Sequence, residues 1–385
     1  MEQRKLNVMS IFGTRPEATK MAPLVLALQR SHQINSIVTV TAQHRDLLDP
    51  VLSLFGLVPN YDLNIMRKAQ TLTSITTRAL EGLEQVFAQS KPDVVLVHGD
   101  TSTAFTAALA AYYAKIPVGH VEAGLRTYDR YSPFPEEMNR RLIAPIATLH
   151  FSPTPAAAEN LRSEHCDGEI FVTGNTAIDT VKLLANKHHI FRQPLLNDPA
   201  LNSKKLIFMT AHRRENYGEP LRDIASAVKE LVDRFEDLVV VWPLHPSPTV
   251  RETAAAILGN CERVILCDPL LVDDSINLIQ KSDLVLTDSG GLQEEAPSLG
   301  KPVLVLRRET ERPEAITAGT VELIGTDKRK IIESVSKLLT DRTVYDTMSR
   351  AVNPYGDGKA AERITQAILY HFGRADRPSD FSPSF

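Results

Sequence analysis

The chain reads as an α/β protein built from two doubly wound domains in tandem. Three observations predict this. Short, near-continuous apolar runs alternate with helix-length segments throughout, the pattern of parallel sheets covered on both faces. The alternation restarts near Lys204, after the turn-rich stretch FRQPLLNDPALNSKK. The chain has 385 residues, more than one core usually holds, so two domains of about 150–200 residues are expected.

In the first half the strand candidates are LNVMSIF, INSIVTVTA, DVVLVHGD, VGHVEAG and LHFSP, with TLTSITTRALEGLEQVFAQ and STAFTAALAAYYA among the helices between them. In the second half they are KLIFMTAH, LVVVWPLH, RVILCDP, DLVLTDSGG, PVLVLR and TVELIG, separated by helices such as EPLRDIASAVKELVDRF. The expected division is residues 1–170 for the first domain and 171–358 for the second. A terminal helix at about 359–374 is expected to pack back on the first domain, and 375–385 (ADRPSDFSPSF) to be a disordered tail.

Composition narrows the function. Apolar residues make up 43% and charged residues 23%, ordinary for a soluble globular protein, and the net charge of −4 argues against a general nucleic-acid binder. Three cysteines, Cys166, Cys261 and Cys267, lack metal-ligand spacing and suit a reducing compartment. No apolar run approaches the roughly 18 residues of a membrane span. The N-terminus runs straight into a charged turn, unlike a secretory signal. A cytoplasmic location is expected.

In doubly wound sheets ligands bind outside the carboxyl ends of the strands. Here those ends are polar. FGTRPEATK places Arg15 and Lys20 where a strand hands over to a helix, a junction with free N–H groups and a positive dipole end, which suits an anion. HGD ends another strand at Asp100, and HVEAG another at Glu122. SPFPEEMNRR carries Glu136, Glu137 and Arg140. Each acid has a plainer reading: an N-cap for Asp100, a dipole partner in the first helical turn for Glu136 or Glu137. Glu122 precedes a glycine turn, with no helix to cap. Convergence of three carboxylates with two cations at one sheet edge favours chemistry.

In the second half His212 is followed by Arg213 and Arg214, and His245 ends the next strand. Ser289, Gly290 and Gly291 make a strand-to-helix turn, with Glu294 and Glu295 one turn on. Glycines let backbone N–H groups approach an anion, and an acid can bond a ribose, although a plain tight turn has the same pattern. The expected guest is a diphosphate, and carboxylates beside it point to proton or carbocation chemistry at the carbon bearing it.

At these residues the sequence resembles the bacterial non-hydrolysing UDP-N-acetylglucosamine 2-epimerases. FGTRPEATK, VHGDTSTA, HVEAGLRT, SPFPEE, TAHRREN and DSGGLQEEAP match signature runs in the expected order, from about Val8 to about Gly358. The resemblance implies two Rossmann-like domains of GT-B type with an active site in the interdomain cleft. It implies reversible conversion of UDP-N-acetylglucosamine to UDP-N-acetylmannosamine by anti elimination of UDP to 2-acetamidoglucal and syn re-addition, with no cofactor and no metal. Asp100, Glu122 and Glu136 match the catalytic carboxylates and His212 the essential histidine. Arg15, Lys20, Arg140, Arg213, Ser289, Gly290, Gly291 and Glu295 fall at substrate-binding positions. Gln43, Gln70, Glu136 and His245 match positions where a second UDP-N-acetylglucosamine binds as allosteric activator; Ala69 and Ser247 depart from residues common there. A homodimer supplying cell-surface polysaccharide synthesis is also implied, with neither nucleic acid nor membrane as partner. The alternatives are a hydrolysing sibling, which tends to carry Arg where Thr101 stands, a GT-B UDP-sugar glycosyltransferase, and a non-enzymatic sugar-binding protein.

Overall fold

A computed structural model describes residues 4–43, 45–67 and 70–383; Ala69 therefore lies outside the described residues. The chain divides into two compact units, one running to Leu183 and resuming over Tyr355–Ser382, the other Leu184–Pro354.

The first unit alternates β1 (Leu6–Phe12), α1 (Arg15–Arg30), β2 (Ile34–Val40), α2 (Arg45–Leu54), β3 (Tyr61–Asp62), α3 (Leu72–Ser90), β4 (Val94–His98), α4 (Ser102–Tyr113), β5 (Val118–Val121), α5 (Glu136–Ile143), β6 (Leu149–Ser152), α6 (Pro155–Ser163), β7 (Glu169–Val172) and α7 (Thr176–Leu184). Among the described residues its strands form one seven-stranded sheet in the order β3-β2-β1-β4-β5-β6-β7, parallel throughout. Every residue of β4 and β5 is buried, which explains their unbroken apolar runs. The order reverses between β1 and β4, so the loops after these two strands flank the switch point.

The glycine turn after β1 is shorter than its sequence suggests. Helix α1 starts at Arg15, capped by a reciprocal box between Thr14 and Glu17, so Arg15 and Lys20 lie within the helix. Ala18, Met21, Ala22, Val25 and Leu28 recur at helical spacing and bury its inner face. Gly13 must be glycine for space: a Cβ there would lie 2.0 Å from Thr41 Oγ1 and 2.6 Å from Thr103 Oγ1.

The second unit alternates β8 (Lys205–Thr210), α8 (Glu219–Arg234), β9 (Leu238–Pro243), α9 (Pro248–Leu258), β10 (Val264–Cys267), α10 (Val272–Lys281), β11 (Leu284–Thr287), α11 (Gly290–Glu295), β12 (Val303–Val305), α12 (Pro313–Thr317), β13 (Val321–Leu323), α13 (Lys328–Thr340) and α14 (Arg342–Ser349). Its parallel sheet runs β10-β9-β8-β11-β12-β13 among the described residues, with the switch between β8 and β11. Trp242, fully buried, anchors its core with Met209, Leu231 and Leu286.

Helix α15 (Ala360–His371) belongs to the first unit and packs on α1. Three sequence expectations need correction here. Residues 171–183 belong to the first unit, because β7 pairs with β6 through Val172 and α7 follows it; the break falls after Leu183 rather than 170. The return comes at Tyr355 rather than 359, where Asn175 N–H donates to Tyr355 O at 2.7 Å and Asp179 accepts from the N–H groups of Ala360 and Ala361. The tail is ordered over 375–383, the remainder lying outside the described residues. β7 is an edge strand with free backbone groups, and the tail fills them: Val172 N–H donates to Asp380 Oδ1 at 2.9 Å and Val172 O accepts from Phe381 N–H at 2.7 Å. Phe381 is buried against Ala158 and Val172.

Candidate functional site

In the first unit Glu122 is the centre of the site. It follows β5 with a φ of 61°, a left-handed backbone rare outside glycine and typical of functional positions. One carboxylate oxygen pairs with Lys20 of α1 and accepts from Asn175 Nδ2 at 3.2 Å. The other lies 2.9 Å from the Arg140 guanidinium, which also reaches Asp100 at 2.7 Å and donates to Glu122 O at 2.6 Å. Burial alone would push the Glu122 carboxyl up; Lys20, His98 and Arg140 outweigh it and hold it well below the usual range. It is a desolvated carboxylate kept ionised by two fixed cations.

The same cations act on the neighbouring histidine. Burial, then Lys20 and Arg140, press His98 down to about 4 against the opposing pull of Glu122. It is neutral at pH 7, with Nε2 3.8 Å from Glu122 and no hydrogen-bond partner among the described residues. His120, fully buried, is also held well below its ordinary value, chiefly by burial, and its Nε2 lies 2.7 Å from Gly99 O.

Asp100 is released from capping. Thr101 caps α4 by accepting from Ala104 N–H, while Asn139 Nδ2 holds Asp100 O at 2.7 Å. The acids of SPFPEE separate by role. Glu137 is buried and accepts from the N–H groups of Thr127 and Tyr128, pinning the preceding loop. Glu136 is half-buried, with a buried Oε2 that has no hydrogen-bond partner among the described residues. Arg15 is half-buried at the start of α1. Gln43 and Gln70 meet each other, Gln70 Nε2 donating to Gln43 O at 3.2 Å, and Thr103 donates to Gln43 Oε1.

In the second unit the loop after β8 wraps around Asp288, which follows β11 and is fully buried. Asp288 Oδ2 accepts from His212 N–H and Arg213 N–H, each at 2.8 Å, and from Asn216 Nδ2 at 3.0 Å. Oδ1 lies 3.1 Å from His212 Nδ1. Burial would raise this carboxyl, but the His212 ring and the two backbone N–H groups hold it low. His245 stacks on His212 at 5.7 Å with the rings 14° from parallel. Its pKa is lowered by burial and by His212. Arg213 contacts Glu311 at 3.3 Å.

Ser289 precedes α11, its N–H bonded to Thr287 Oγ1. A Cβ on Gly290 would lie 3.3 Å from Arg312 Cζ, and one on Gly291 3.3 Å from Glu295 Oε1. Glu294 is buried on Arg312 at 2.8 Å, whereas Glu295 is half-buried. His189, Asp273 and Asp274 cluster within metal-ligand reach, but Arg192 already sits 2.8 Å and 3.2 Å from the two acids.

Sequence reasoning missed several residues of these sites. Asp288 was signalled by its place, an acid directly ending the apolar run LVLT. Glu17 was visible as the fourth residue of a capping box. Asn175 carries no local signal, since it reaches Glu122 only through the fold.

The family model described as UDP-N-acetylglucosamine 2-epimerase matches residues 26–369. The Bacillus subtilis UDP-N-acetylglucosamine 2-epimerase is 53% identical over 381 residues, covering 98% of this chain and 99% of the relative. The Neisseria meningitidis UDP-GlcNAc 2-epimerase, solved bound to UDP-GlcNAc, superposes with a TM-score of 0.84 at 48% identity, covering 95% of this chain and all of that one. The S. aureus MnaA–UDP structure gives a TM-score of 0.88 at 50% identity over 98% of this chain and all of that one. Both units are Rossmann-like and the fold is of GT-B type. The chain belongs to the UDP-N-acetylglucosamine 2-epimerase family.

Proposed function

We propose that the protein interconverts UDP-N-acetylglucosamine and UDP-N-acetylmannosamine without releasing free sugar. The C2 hydrogen of the sugar is not α to a carbonyl, so its direct removal is very unfavourable. Breaking the C1–O bond first places positive charge on the ring; a carboxylate then takes the C2 proton, leaving 2-acetamidoglucal and UDP. Protonation of C2 on the opposite face and re-formation of the C1–O bond give the epimer, so atoms and electrons balance with neither a nicotinamide nor a metal.

The observation that carries this reading is Glu122, buried yet held ionised between Lys20 and Arg140, with Asp100 on the same guanidinium. The Glu122 charge is then available to stabilise a cationic ring, with the carboxylates of the cluster together taking and returning the C2 proton. Glu136 supplies the third carboxylate. Arg15, Lys20, His212, Arg213, Ser289, Gly290 and Gly291 are the proposed diphosphate contacts, and Glu295 the proposed ribose contact. Relatives solved with UDP-GlcNAc and with UDP support the substrate class. Thr101, where hydrolysing members tend to carry Arg, favours the non-hydrolysing form; here it caps α4 and donates to Glu17.

The test is turnover in heavy water followed by NMR. Deuterium at C2 of a sugar still attached to UDP is expected. Free N-acetylmannosamine with UDP would establish the hydrolysing reaction instead, and inversion without deuterium would end the elimination route.

A second UDP-N-acetylglucosamine acts as activator through Gln43, Gln70, Glu136 and His245, giving sigmoidal rates; hyperbolic rates with equal turnover in both directions would refute it. The enzyme works in the cytoplasm as a homodimer, supplying N-acetylmannosamine units for cell-surface polysaccharide. Tyr112 and Tyr113, exposed on α4, offer an apolar surface for the dimer, which sedimentation can test.

A further inference from the structure

The Asp288 carboxylate is fully buried and its two oxygens are used differently. Oδ2 is saturated by three donors: the N–H groups of His212 and Arg213 and the side-chain amide of Asn216. These contacts close the loop after β8 onto the end of β11. Oδ1 is also buried and has no aligned hydrogen-bond donor among the described residues, yet His212 Nδ1 stands 3.1 Å away. A buried anionic oxygen without a donor is costly, and the ring nitrogen beside it relieves that cost only when it carries hydrogen.

We infer that Asp288 is the positioning residue for His212: it holds the imidazole with Nδ1–H toward the carboxylate, so that Nε2 is the atom presented to substrate. The inference rests on the proposed role of His212 at the departing diphosphate. Two further contacts restrict the ring. The His212 N–H is anchored to the same carboxylate, limiting backbone drift, and His245 stacks on one ring face. With Nδ1–H committed to an anion, a second proton on Nε2 gives an imidazolium whose positive charge is compensated by Asp288. That proton is a charge-assisted donor to a diphosphate oxygen, and its contribution grows as the C1–O bond breaks and negative charge accumulates. The carboxylate touches no reacting atom; it acts through the histidine.

Asp288→Asn tests this without dismantling the loop. The three donors around Oδ2 require an acceptor there, so the amide oxygen takes that place and the NH2 faces His212 Nδ1. The ring must then accept at Nδ1 and carry its hydrogen on Nε2, without compensation of an added positive charge. Histidine-labelled protein, with the His212 signals assigned by their loss in His212→Asn, reports the tautomer by long-range nitrogen–proton NMR. In the wild type Nδ1 is expected to be protonated; in Asp288→Asn the neutral ring is expected to carry its hydrogen on Nε2. Epimerisation is expected to lose about 10- to 100-fold in kcat with KM within about threefold, as for a contact made in the transition state.

A wild-type ring with a bare Nδ1 would overturn the inference without recourse to any variant. An Asp288→Asn enzyme with near wild-type kcat, beside an inactive His212→Asn, would overturn it and leave the role of His212 standing. If His212→Asn itself turns over normally, the functional reading of the histidine fails and the inference falls with it.

Discussion

Glu17 accepts a 2.6 Å hydrogen bond from the hydroxyl of Thr101, tying the first turn of α1 to the residue after Asp100. Its other oxygen accepts from the N–H groups of Gly13 and Thr14 and from the Thr14 hydroxyl. Burial, opposed by these hydrogen bonds, raises the Glu17 carboxyl to about 7. A raised acid contributes stability that is complete below its unfolded value, about 4.3, and is lost as pH rises through the folded value. The window here runs from about 4.3 to about 7, and the effect is on the order of 3–4 kcal/mol. Glu17→Gln can keep one acceptor oxygen for Gly13 and Thr14 and turn its NH2 toward the Thr101 hydroxyl, which then accepts, so a neutral group fills the site and its melting temperature should gain on the wild type between about pH 4.5 and about pH 7. A difference that stays flat over that range would contradict the assignment.

Glu122 stands between two cations, so its neutral replacement has two effects. Glu122→Gln should lose most epimerisation, at least about 100-fold, and should also destabilise the first unit, because Lys20 and Arg140 lose a buried partner. Asp100→Asn should lose activity comparably with a smaller change in melting temperature, since its carboxylate is more exposed, 26% against 7% for Glu122. Near wild-type turnover in either would remove that residue from the mechanism.

Lys20 is expected to act on Glu122 as much as on substrate. Lys20→Met removes the largest influence keeping the buried carboxyl ionised, so its pKa should rise. Activity that needs this carboxylate would then be lost first at low pH, moving the acid limb of the kcat profile upward. A uniform loss at every pH would assign Lys20 to substrate contact alone.

Gly13→Ala places a methyl against Thr41 and Thr103, whose hydroxyls lie 2.9 Å apart. The expected cost is about 1–3 kcal/mol, read as a lower denaturation midpoint. Wild-type stability would mean that the β1–α1 turn relaxes freely.

Removing residues 378–385 should lower the melting temperature of the first unit. Val172 N–H and O lose Asp380 and Phe381, and Phe381 leaves its apolar contact with Ala158 and Val172. The loss should be on the order of 2–4 kcal/mol. An unchanged melting temperature would show that the edge of β7 needs no cover.

Periodicity and turn chemistry are local, and they determined much. The apolar runs at β1, β4, β8 and β11 read directly as strands because those strands are buried on both faces. β3, two residues long, and β7, with Glu169 and Ile170 only half-buried, escaped notice because an edge strand needs less apolar surface. Strand ends marked Asp100, Glu122, His212 and Ser289 as candidates, since topology puts ligands there. Tertiary structure alone decided which side chains meet. Lys20 and Glu122 lie 102 positions apart, and His212 and Asp288 are joined across two neighbouring strands of the second sheet. No local pattern distinguishes Glu137, which pins a loop, from Glu136 beside it, because pairing depends on what the folded chain brings within a few ångströms.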